Sequence, residues 1–211
     1  MQDIILTNVC KRFGKKTVLD NFSLQIAAGD YISITGESGK GKTTILNIIG
    51  MLDTPDKGSV EICGCKNPKF SSRTAMRLRR YDVSYLFQNY GLIDTETVEE
   101  NLAIALRFKK ASAAGKKRVI SDALSKVGLS GYEKRKIFTL SGGEQQRVAL
   151  AKIIVKSPKI ILADEPTGSL DEKNRNYVLG ILEVLNKSGK TIVVVTHDAY
   201  VASCAKRNIQ L

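Results

Sequence analysis

Long apolar runs are missing from this chain of 211 residues. No stretch approaches the roughly 20 consecutive apolar residues that span a bilayer. The start, Met1-Gln2-Asp3, lacks the basic and then apolar pattern of a signal peptide. Internal repeats and Pro- or Gly-rich linkers are also absent, and a composition that is 43% hydrophobic suffices for a full α/β core. We therefore expect a single compact domain, soluble and located in the cytosol.

Cysteine and histidine are scarce. The four cysteines are scattered and follow neither a disulfide framework nor a zinc spacing, which fits a reducing compartment. The pair Cys63-Gly64-Cys65 invites a metal interpretation, but one ligand pair cannot close a tetrahedral site and the single histidine lies far away. A strand that ends in a turn is the better account of this pair.

Acidic residues are fewer than basic ones. The chain has 33 Lys and Arg and 21 Asp and Glu, which gives a formal net charge of +12. Solvated helix faces explain most of the basic clusters. The surplus also suits nucleotide phosphates and an anionic membrane face, where each nearby Lys or Arg contributes about 1 kcal/mol. Aromatic-basic interleaving and known binding modules are absent, so no nucleic-acid partner is expected. The clusters are Arg77/Arg79/Arg80, Lys109/Lys110, Lys116/Lys117/Arg118 and Lys134/Arg135/Lys136.

Two kinds of strand are predicted. Short β-rich segments separated by turn residues indicate an antiparallel layer; they are Ile4 to Asn8, Phe22 to Ile26 and Val60 to Cys63. Three continuous apolar runs indicate buried parallel strands instead; they are Tyr31 to Thr35, Ile160 to Ala163 and Thr191 to Val195. Chemistry should gather at the carboxyl ends of the parallel strands.

Helical periodicity dominates the stretch between Asn89 and Thr139. A capping box at Thr97 to Glu100 begins one helix, and a second helix is expected around Lys117 to Val127. We interpret this stretch as a helical insertion into the core that the parallel strands form. A later amphipathic helix is predicted over Glu172 to Leu185.

A phosphate-binding loop follows the first buried strand. The spacing G-x-x-x-x-G-K-T opens the apolar helix Thr43 to Met51, and this strand-loop-helix context is that of a P-loop. Backbone N–H groups of such a loop curl around phosphates, Lys42 reaches the β and γ oxygens, and Thr43 offers its hydroxyl to Mg²⁺. The predicted nucleotide-binding residues here are Gly36, Glu37, Ser38, Gly39, Lys40, Gly41, Lys42, Thr43 and Thr44.

The run Ile160 to Glu165 delivers two consecutive carboxylates to the same sheet edge. Asp164 suits the Mg²⁺ shell, and Glu165 is placed to polarise an attacking water. Capping of the turn before Pro166 is the weaker explanation for Asp164. Gln88, after Tyr85-Leu86-Phe87, is a candidate to sense the γ-phosphate through metal or water, although a surface Gln alone means little.

Two further residues carry open alternatives. His197, the sole histidine, is more often a structural residue, but its place at a strand's carboxyl end favours a hydrogen bond to the γ-phosphate. Phe13 either packs in the core or stacks on a base.

A second helix N-terminus suited to phosphate binding is predicted at Leu140 to Gln145. Ser141 can cap the helix and Glu144 can close a capping box, which leaves the N–H groups of Gly142 and Gly143 for an anion. Capping alone would not require two glycines, whereas close backbone approach to an anion does. Because one nucleotide needs one loop, the natural target is the nucleotide of a symmetric partner. Ser169-Leu170-Asp171 could link the two sites.

Taken together, these motifs resemble the ATP-binding subunit of ABC transporters over essentially the whole chain. The resemblance makes Phe13 the adenine-stacking aromatic, 36–43 the Walker A loop, Gln88 the Q-loop, 140–145 the signature, 160–165 Walker B, 169–171 the D-loop and His197 the switch. It implies an α/β P-loop NTPase core of the ABC type over 1–211, with an antiparallel β subdomain and a helical subdomain inserted at approximately 89–140. Lys40 departs from the family, which usually has a small residue there.

The family resemblance also implies cofactors and partners. Two copies sandwich two ATP with Mg²⁺, and a homodimer of this kind drives an integral membrane permease subunit from the cytoplasmic face of the membrane. Length and motifs look most like the branch that handles macrolides, lipoproteins and bacteriocins, which implies export of a peptide, bacteriocin, drug or lipid-like cargo. A mechanotransmission or peptide-sensing ATPase that moves no cargo, and a soluble ATPase in assembly or nucleic-acid work, are the alternatives.

Overall fold

A computed structural model describes residues 2–168 and 170–211, and the described residues form two sheets and seven α-helices. The first sheet is antiparallel, with strand order β2-β1-β4-β5. Its strands are β1 (Gln2–Phe13), β2 (Lys16–Ala27), β4 (Lys57–Ile62) and β5 (Cys65–Lys66). The predicted antiparallel layer is confirmed, and the strands β1 and β2 are each 12 residues long, well beyond their apolar segments.

The second sheet is parallel throughout, with strand order β6-β7-β8-β3-β9. Its strands are β3 (Tyr31–Thr35), β6 (Val83–Leu86), β7 (Ile160–Asp164), β8 (Thr191–Val195) and β9 (Arg207–Gln210). The three apolar runs are the three central strands, as predicted. The edge strands β6 and β9 were not predicted, because each has only four residues and β9 is mostly exposed.

The helices lie on both sides of this parallel sheet. They are α1 (Lys42–Ile49), α2 (Arg73–Arg77), α3 (Val98–Ala105), α4 (Ala113–Lys126), α5 (Gly142–Lys156), α6 (Glu172–Lys187) and α7 (Ala199–Ser203). Predicted boundaries are wrong in three helices. The helix expected over Glu172 to Leu185 extends to Lys187. The helix expected over Thr43 to Met51 ends at Ile49, since Met51 has a φ of 56°. Helix α4 begins at Ala113, because the Ser112 hydroxyl accepts a hydrogen bond from the Gly115 N–H.

Successive side chains along the central strands point to opposite faces of the sheet and pack into two separate hydrophobic cores. Ile161 and Ala163 of β7 face the core formed with α3, α4, α5 and α6, whereas Ile160 and Leu162 face α1 and the antiparallel sheet. A continuous apolar strand is needed because both faces are covered. The carboxyl ends of β3, β7 and β8 are therefore held rigidly at one edge, where the P-loop and the acidic pair lie.

The stretch predicted as a helical insertion contains α3, α4 and a 3₁₀ turn at Ile137–Thr139. Both helices pack against α5, and the predicted capping box of α3 is present between Thr97 and Glu100. The strand-and-turn interpretation of Cys63-Gly64-Cys65 is also confirmed, since β4 ends at Ile62 and pairs with β5 at Cys65. Over the described residues, no helix has the length and apolarity that a bilayer crossing demands.

Candidate functional site

The P-loop joins β3 to α1 in a conformation that depends on glycine. Gly41, the residue before α1, has a φ of 95°, and a Cβ there would lie 2.8 Å from Cγ1 of Val18. Glycine is therefore needed both for the left-handed backbone and for the close approach of β2. The Lys42 ammonium donates to the carbonyl oxygens of Gly36 and Glu37 at 2.8 and 2.9 Å, which holds it across the loop.

A cleft of about 460 Å³ opens beside this loop. It is large enough for a nucleotide. Residues from β1, β2, the P-loop, α1, β8, the end of β7 and the segment after β6 line it. The lining residues are Phe13, Lys16, Val18, Ser38, Gly39, Gly41, Lys42, Thr43, Thr44, Gln88, Asp164, Glu165 and Val195. Most of the predicted nucleotide and metal residues thus meet in one place, although they are far apart in the sequence.

Phe13 lies at the mouth of the cleft with 53% of its surface exposed, so the core-packing alternative is wrong. Its ring lies 5.2 Å from the Lys11 ammonium. An exposed ring at the edge of a cleft is free to stack on a base, and that role stays a prediction. Lys16, at the start of β2, adds a cation to the same cleft; sequence reasoning missed it, and its only signal was the Lys15-Lys16 pair at the hairpin turn after Phe13.

The candidate Mg²⁺ ligands converge at the end of β7. The Thr43 hydroxyl lies 3.3 Å from Oδ1 of Asp164, so the two predicted ligands already contact each other. Burial raises the pKa of Asp164, and the neighbouring Glu165 raises it further. Hydroxyl, carboxylate and the Gln88 amide form an all-oxygen donor set, which is what Mg²⁺ prefers and which fits a phosphate-bound ion. Gln88 is exposed and lines the cleft beside them.

Glu165 is fixed by the end of β8. Its Oε1 accepts from the His197 backbone N–H at 3.1 Å and lies 2.7 Å from His197 Nδ1, while its Oε2 accepts from the Thr196 hydroxyl at 3.2 Å. The backbone of Glu165 has a φ of 46°, an uncommon conformation for a non-glycine residue that often marks functional sites. The side chain is only 15% exposed, so this carboxylate is held in one orientation at the cleft.

His197 therefore contacts the candidate base directly, and its imidazole is 73% exposed. The predicted hydrogen bond from this residue to a γ-phosphate stays a prediction. Thr196 was missed by sequence reasoning, because a buried threonine after an apolar strand gives no signal of its contact with a carboxylate 31 positions away.

The second phosphate element begins α5 as predicted. Ser141 accepts from the Glu144 N–H, and Oε2 of Glu144 accepts from the Ser141 N–H at 2.8 Å, which completes a capping box. These bonds, led by the one from the Ser141 backbone, hold the pKa of Glu144 below its usual range. Tyr132 donates to the other carboxylate oxygen at 2.9 Å. None of the residues 141–144 lines the P-loop cleft, so the element is available to a ligand elsewhere.

The two glycines of this element also have neighbours within the chain. A Cβ at Gly142 would lie 3.0 Å from the Tyr90 hydroxyl, and one at Gly143 would lie 2.8 Å from the Asn174 side chain. Close packing thus accounts for part of the glycine requirement that the sequence attributed to an anion alone. The exposed position of Ser141 and Gly142 leaves the start of α5 open to solvent and to a partner.

The segment between the acidic pair and α6 connects both phosphate elements. Asp171 caps α6 by accepting from the Asn174 N–H at 2.8 Å, and Gln146 of α5 donates to the Pro166 carbonyl at 2.6 Å. Ser169, predicted to belong to the linking segment, lies outside the described residues. Lys40 is 55% exposed with its ammonium 3.9 Å from Glu37, so a solvent-facing side chain fits this departure from the family pattern.

A separate groove of about 320 Å³ lies between the parallel-sheet core and the helical stretch. Exposed aromatic and aliphatic side chains line it, among them Phe87, Ile104 and Phe108. Among the described residues, four cations and no acidic residue complete the lining: Arg79, Arg80, Lys152 and Lys156. Apart from Arg80, each of them donates to backbone carbonyl oxygens. The Arg80 guanidinium is exposed and lies 4.1 Å from the centre of the Phe108 ring.

The chain is similar to ATP-binding/permease proteins of other organisms. It is 39% identical over 208 residues to the macrolide export ATP-binding/permease protein MacB of Campylobacter jejuni and 41% identical over 212 residues to that of Escherichia coli. Each alignment covers 99% of this chain and 32% or 33% of the relative. The chain therefore spans about a third of the length of these relatives.

Two solved structures are similar to this chain in fold as well as in sequence. The dimeric structure of MJ0796, described as a bacterial ABC transporter cassette, matches with a TM-score of 0.90 and 40% identity. A post-hydrolysis dimer of MJ0796 bound to ADP and Pi matches with a TM-score of 0.89 and 38% identity. Both comparisons cover 99% of this chain and 94% of the other. Since the profile of the ABC transporter family also matches residues 19–168, the chain belongs to that family, and its fold is that of the family's ATPase cassette.

Proposed function

We propose that the chain binds Mg-ATP in the P-loop cleft and hydrolyses it. The observation that carries this proposal is the placement of Glu165, whose carboxylate is fixed by Thr196 and His197 at the cleft that also holds Lys42 and Asp164. Lys42 and the loop N–H groups bind the phosphates, and Glu165 accepts the proton of the attacking water. Thr43, Asp164 and Gln88 would hold Mg²⁺, which would supply charge stabilisation to the phosphates.

We further propose that two copies form a head-to-tail homodimer with ATP at the interface. The capped start of α5 has exposed N–H groups but does not line the cleft of its own chain. A helix start of this kind favours an anion, and the two-fold arrangement brings it to the phosphates of the partner's cleft. Similarity to MJ0796, whose solved structures are dimeric, supports this arrangement.

The variant Ser141→Arg tests the homodimer. In a Glu165→Gln background, where we expect slow hydrolysis, Mg-ATP should produce a dimer, and the added Ser141→Arg change should abolish it. The arginine removes the cap of α5 and places a bulky side chain where the partner's phosphates would approach. Light scattering with and without Mg-ATP measures the mass directly. Ser112→Arg removes the equivalent cap of α4, which does not line the cleft, and should leave the dimer intact.

Dimer formation by the Ser141→Arg double variant would contradict the interface. The fold of this variant is checked by its unfolding temperature and by its affinity for ATP in its own cleft. Both should equal those of the parent. If the Glu165→Gln parent binds ATP yet remains monomeric, the homodimer proposal fails, while ATP binding in the cleft stands.

We also propose that the cassette couples ATP hydrolysis to an integral membrane permease subunit at the cytoplasmic face of the membrane, and that the cargo exported is a peptide, bacteriocin, drug or lipid-like molecule. The relatives named ATP-binding/permease proteins support the pairing, and their name as macrolide exporters supports export. The groove supplies a docking surface, because apolar and aromatic side chains are exposed there and every charged side chain that lines it is cationic. An apolar segment that carries an acidic residue fits this chemistry.

The variant Arg80→Glu tests the groove as the docking surface. We expect it to lower the membrane-bound fraction of the cassette several-fold in cells that also contain the permease, since the acidic segment would then meet a like charge. ATP hydrolysis by the purified cassette should be unchanged. Lys117→Glu on the exposed face of α4 has the same change in charge and is the matched control. Equal losses for both variants would indicate general attraction to anionic lipids and contradict docking in the groove.

A further inference from the structure

Tyr85 of β6 lies between the groove and the candidate Mg²⁺ site. Its ring lines the groove and stacks on Phe87, with ring centres 4.2 Å apart and planes 13° from parallel. Its hydroxyl points the other way, 3.4 Å from Oδ2 of Asp164 and 3.2 Å from Oδ1 of Asn47. One side chain thus contacts the docking surface and the predicted metal ligand.

The two oxygens of Asp164 are held by different residues. Thr43 donates to Oδ1 from the start of α1, and Tyr85 donates to Oδ2 from the neighbouring strand β6. Because Asp164 is buried, an oxygen left without a donor would raise the cost of the charged form. A carboxylate held at both oxygens also keeps one plane, which fixes the direction that its Oδ1 presents to a cation.

We propose that Tyr85 is a positioning residue for the metal, in that its hydroxyl holds Oδ2 of Asp164 so that Oδ1 and Thr43 are directed to the Mg²⁺ of bound Mg-ATP. This inference rests on the proposed function and adds to it a residue outside the nucleotide cleft. Partners of metal-binding carboxylates act in this way, by orienting the ligand and keeping it charged.

The hydroxyl is suited to this work because it remains a donor. A phenolic O–H stays protonated at neutral pH, so it can donate to a carboxylate oxygen. Asn47, on the second turn of α1, places its Oδ1 3.2 Å from the same hydroxyl. A hydroxyl has one proton to donate, and of the two acceptor oxygens the charged one of Asp164 forms the stronger bond. A phenylalanine would preserve the ring stacked on Phe87 and would remove only the bond to the carboxylate.

The stacked ring gives this position a second consequence. Phe87 is 37% exposed in the groove and immediately precedes Gln88. Tyr85 therefore contacts both the groove and the carboxylate of Asp164.

The coupling between Mg²⁺ and ATP binding tests this role without relying on hydrolysis. In the Glu165→Gln background, the dissociation constant of ATP is measured by calorimetry with excess Mg²⁺ and with EDTA, and the ratio of the two values gives the coupling. We expect Tyr85→Phe to reduce that ratio by a factor of about 10, through weaker binding in Mg²⁺ only. Binding in EDTA should be unchanged, because the lost bond concerns the metal ligand and not the phosphates.

Tyr31→Phe is the matched control for this experiment. The Tyr31 hydroxyl is also buried in the parallel sheet, has no hydrogen-bond partner among the described residues and does not line the cleft. Its removal should leave the coupling ratio at the parental value. An unchanged ratio in Tyr85→Phe, or an equal loss of affinity with Mg²⁺ and with EDTA, would overturn the positioning role. A parent that binds ATP with no dependence on Mg²⁺ would overturn the proposed Mg-ATP site itself.

Discussion

Glu165→Gln is expected to lower the rate of ATP hydrolysis by a factor of about 10² to 10⁴, the range that a positioned general base supplies. The amide has nearly the shape of the carboxylate, so its oxygen can still accept one of the bonds from Thr196 and His197. It cannot accept a proton from water at neutral pH. Binding of ATP should persist, because the phosphate contacts lie in the P-loop.

Single-turnover hydrolysis of radiolabelled ATP measures this effect, with ATP affinity determined in parallel. Glu61→Gln is the control for the change of charge, since Glu61 lies in β4 of the antiparallel sheet and does not line the cleft. It should hydrolyse ATP at the parental rate. If Glu165→Gln retained that rate, another group would have to activate the water, and the hydrogen bonds from Thr196 and His197 would only stabilise a turn.

The parts of this site that the sequence predicts are those with a local signature. The P-loop is recognisable because its glycines, Lys42 and Thr43 are adjacent in the chain and lie between an apolar strand and an apolar helix. The acidic pair is recognisable for the same reason, as it directly follows the buried run 160–163. Membership of the ABC transporter family, predicted from the order of these motifs, is confirmed by the comparisons.

Contacts between distant segments are what the sequence could not give. Tyr85 precedes Asp164 by 79 positions and Thr196 follows Glu165 by 31, and neither residue type predicts a carboxylate partner. The two glycines after Ser141 illustrate the reverse difficulty. Their chemistry suggested an anion, but the structure adds Tyr90 and Asn174 as neighbours that also need the space.

The strands likewise differ in whether the local sequence alone predicts them or whether they depend on a distant part of the chain. The three central strands of the parallel sheet were predictable because both faces are buried, which leaves a continuous apolar run in the sequence. Strand β9 has only one half-buried residue, Ile209, among exposed ones, and it is ordered by pairing with β3. No pattern within four such residues distinguishes a strand from a loop.

Lys42→Ala is expected to weaken ATP binding by a factor of about 100. The ammonium makes charge-assisted hydrogen bonds, which contribute about 1.5–3 kcal/mol each, and 2.7 kcal/mol corresponds to about 100-fold in affinity. In the structure it is held over the loop by the carbonyl oxygens of Gly36 and Glu37, so it is already in place for the β and γ phosphates. Fluorescence anisotropy of a labelled ATP gives the affinity.

Lys40→Ala is the control, because it removes one positive charge from the same loop, two residues from Lys42. It separates the general effect of losing a charge from the loss of the contacts that Lys42 makes at its own position. The Lys40 ammonium is 55% exposed and lies near the Glu37 carboxylate, so water and that carboxylate screen it from the cleft. We expect Lys40→Ala to change the ATP affinity by about twofold. Added salt should diminish this effect more than it diminishes the effect of Lys42→Ala. A loss as large as that of Lys42→Ala would contradict the solvent-facing placement of Lys40 and would mean that this chain uses its unusual loop residue to bind phosphate.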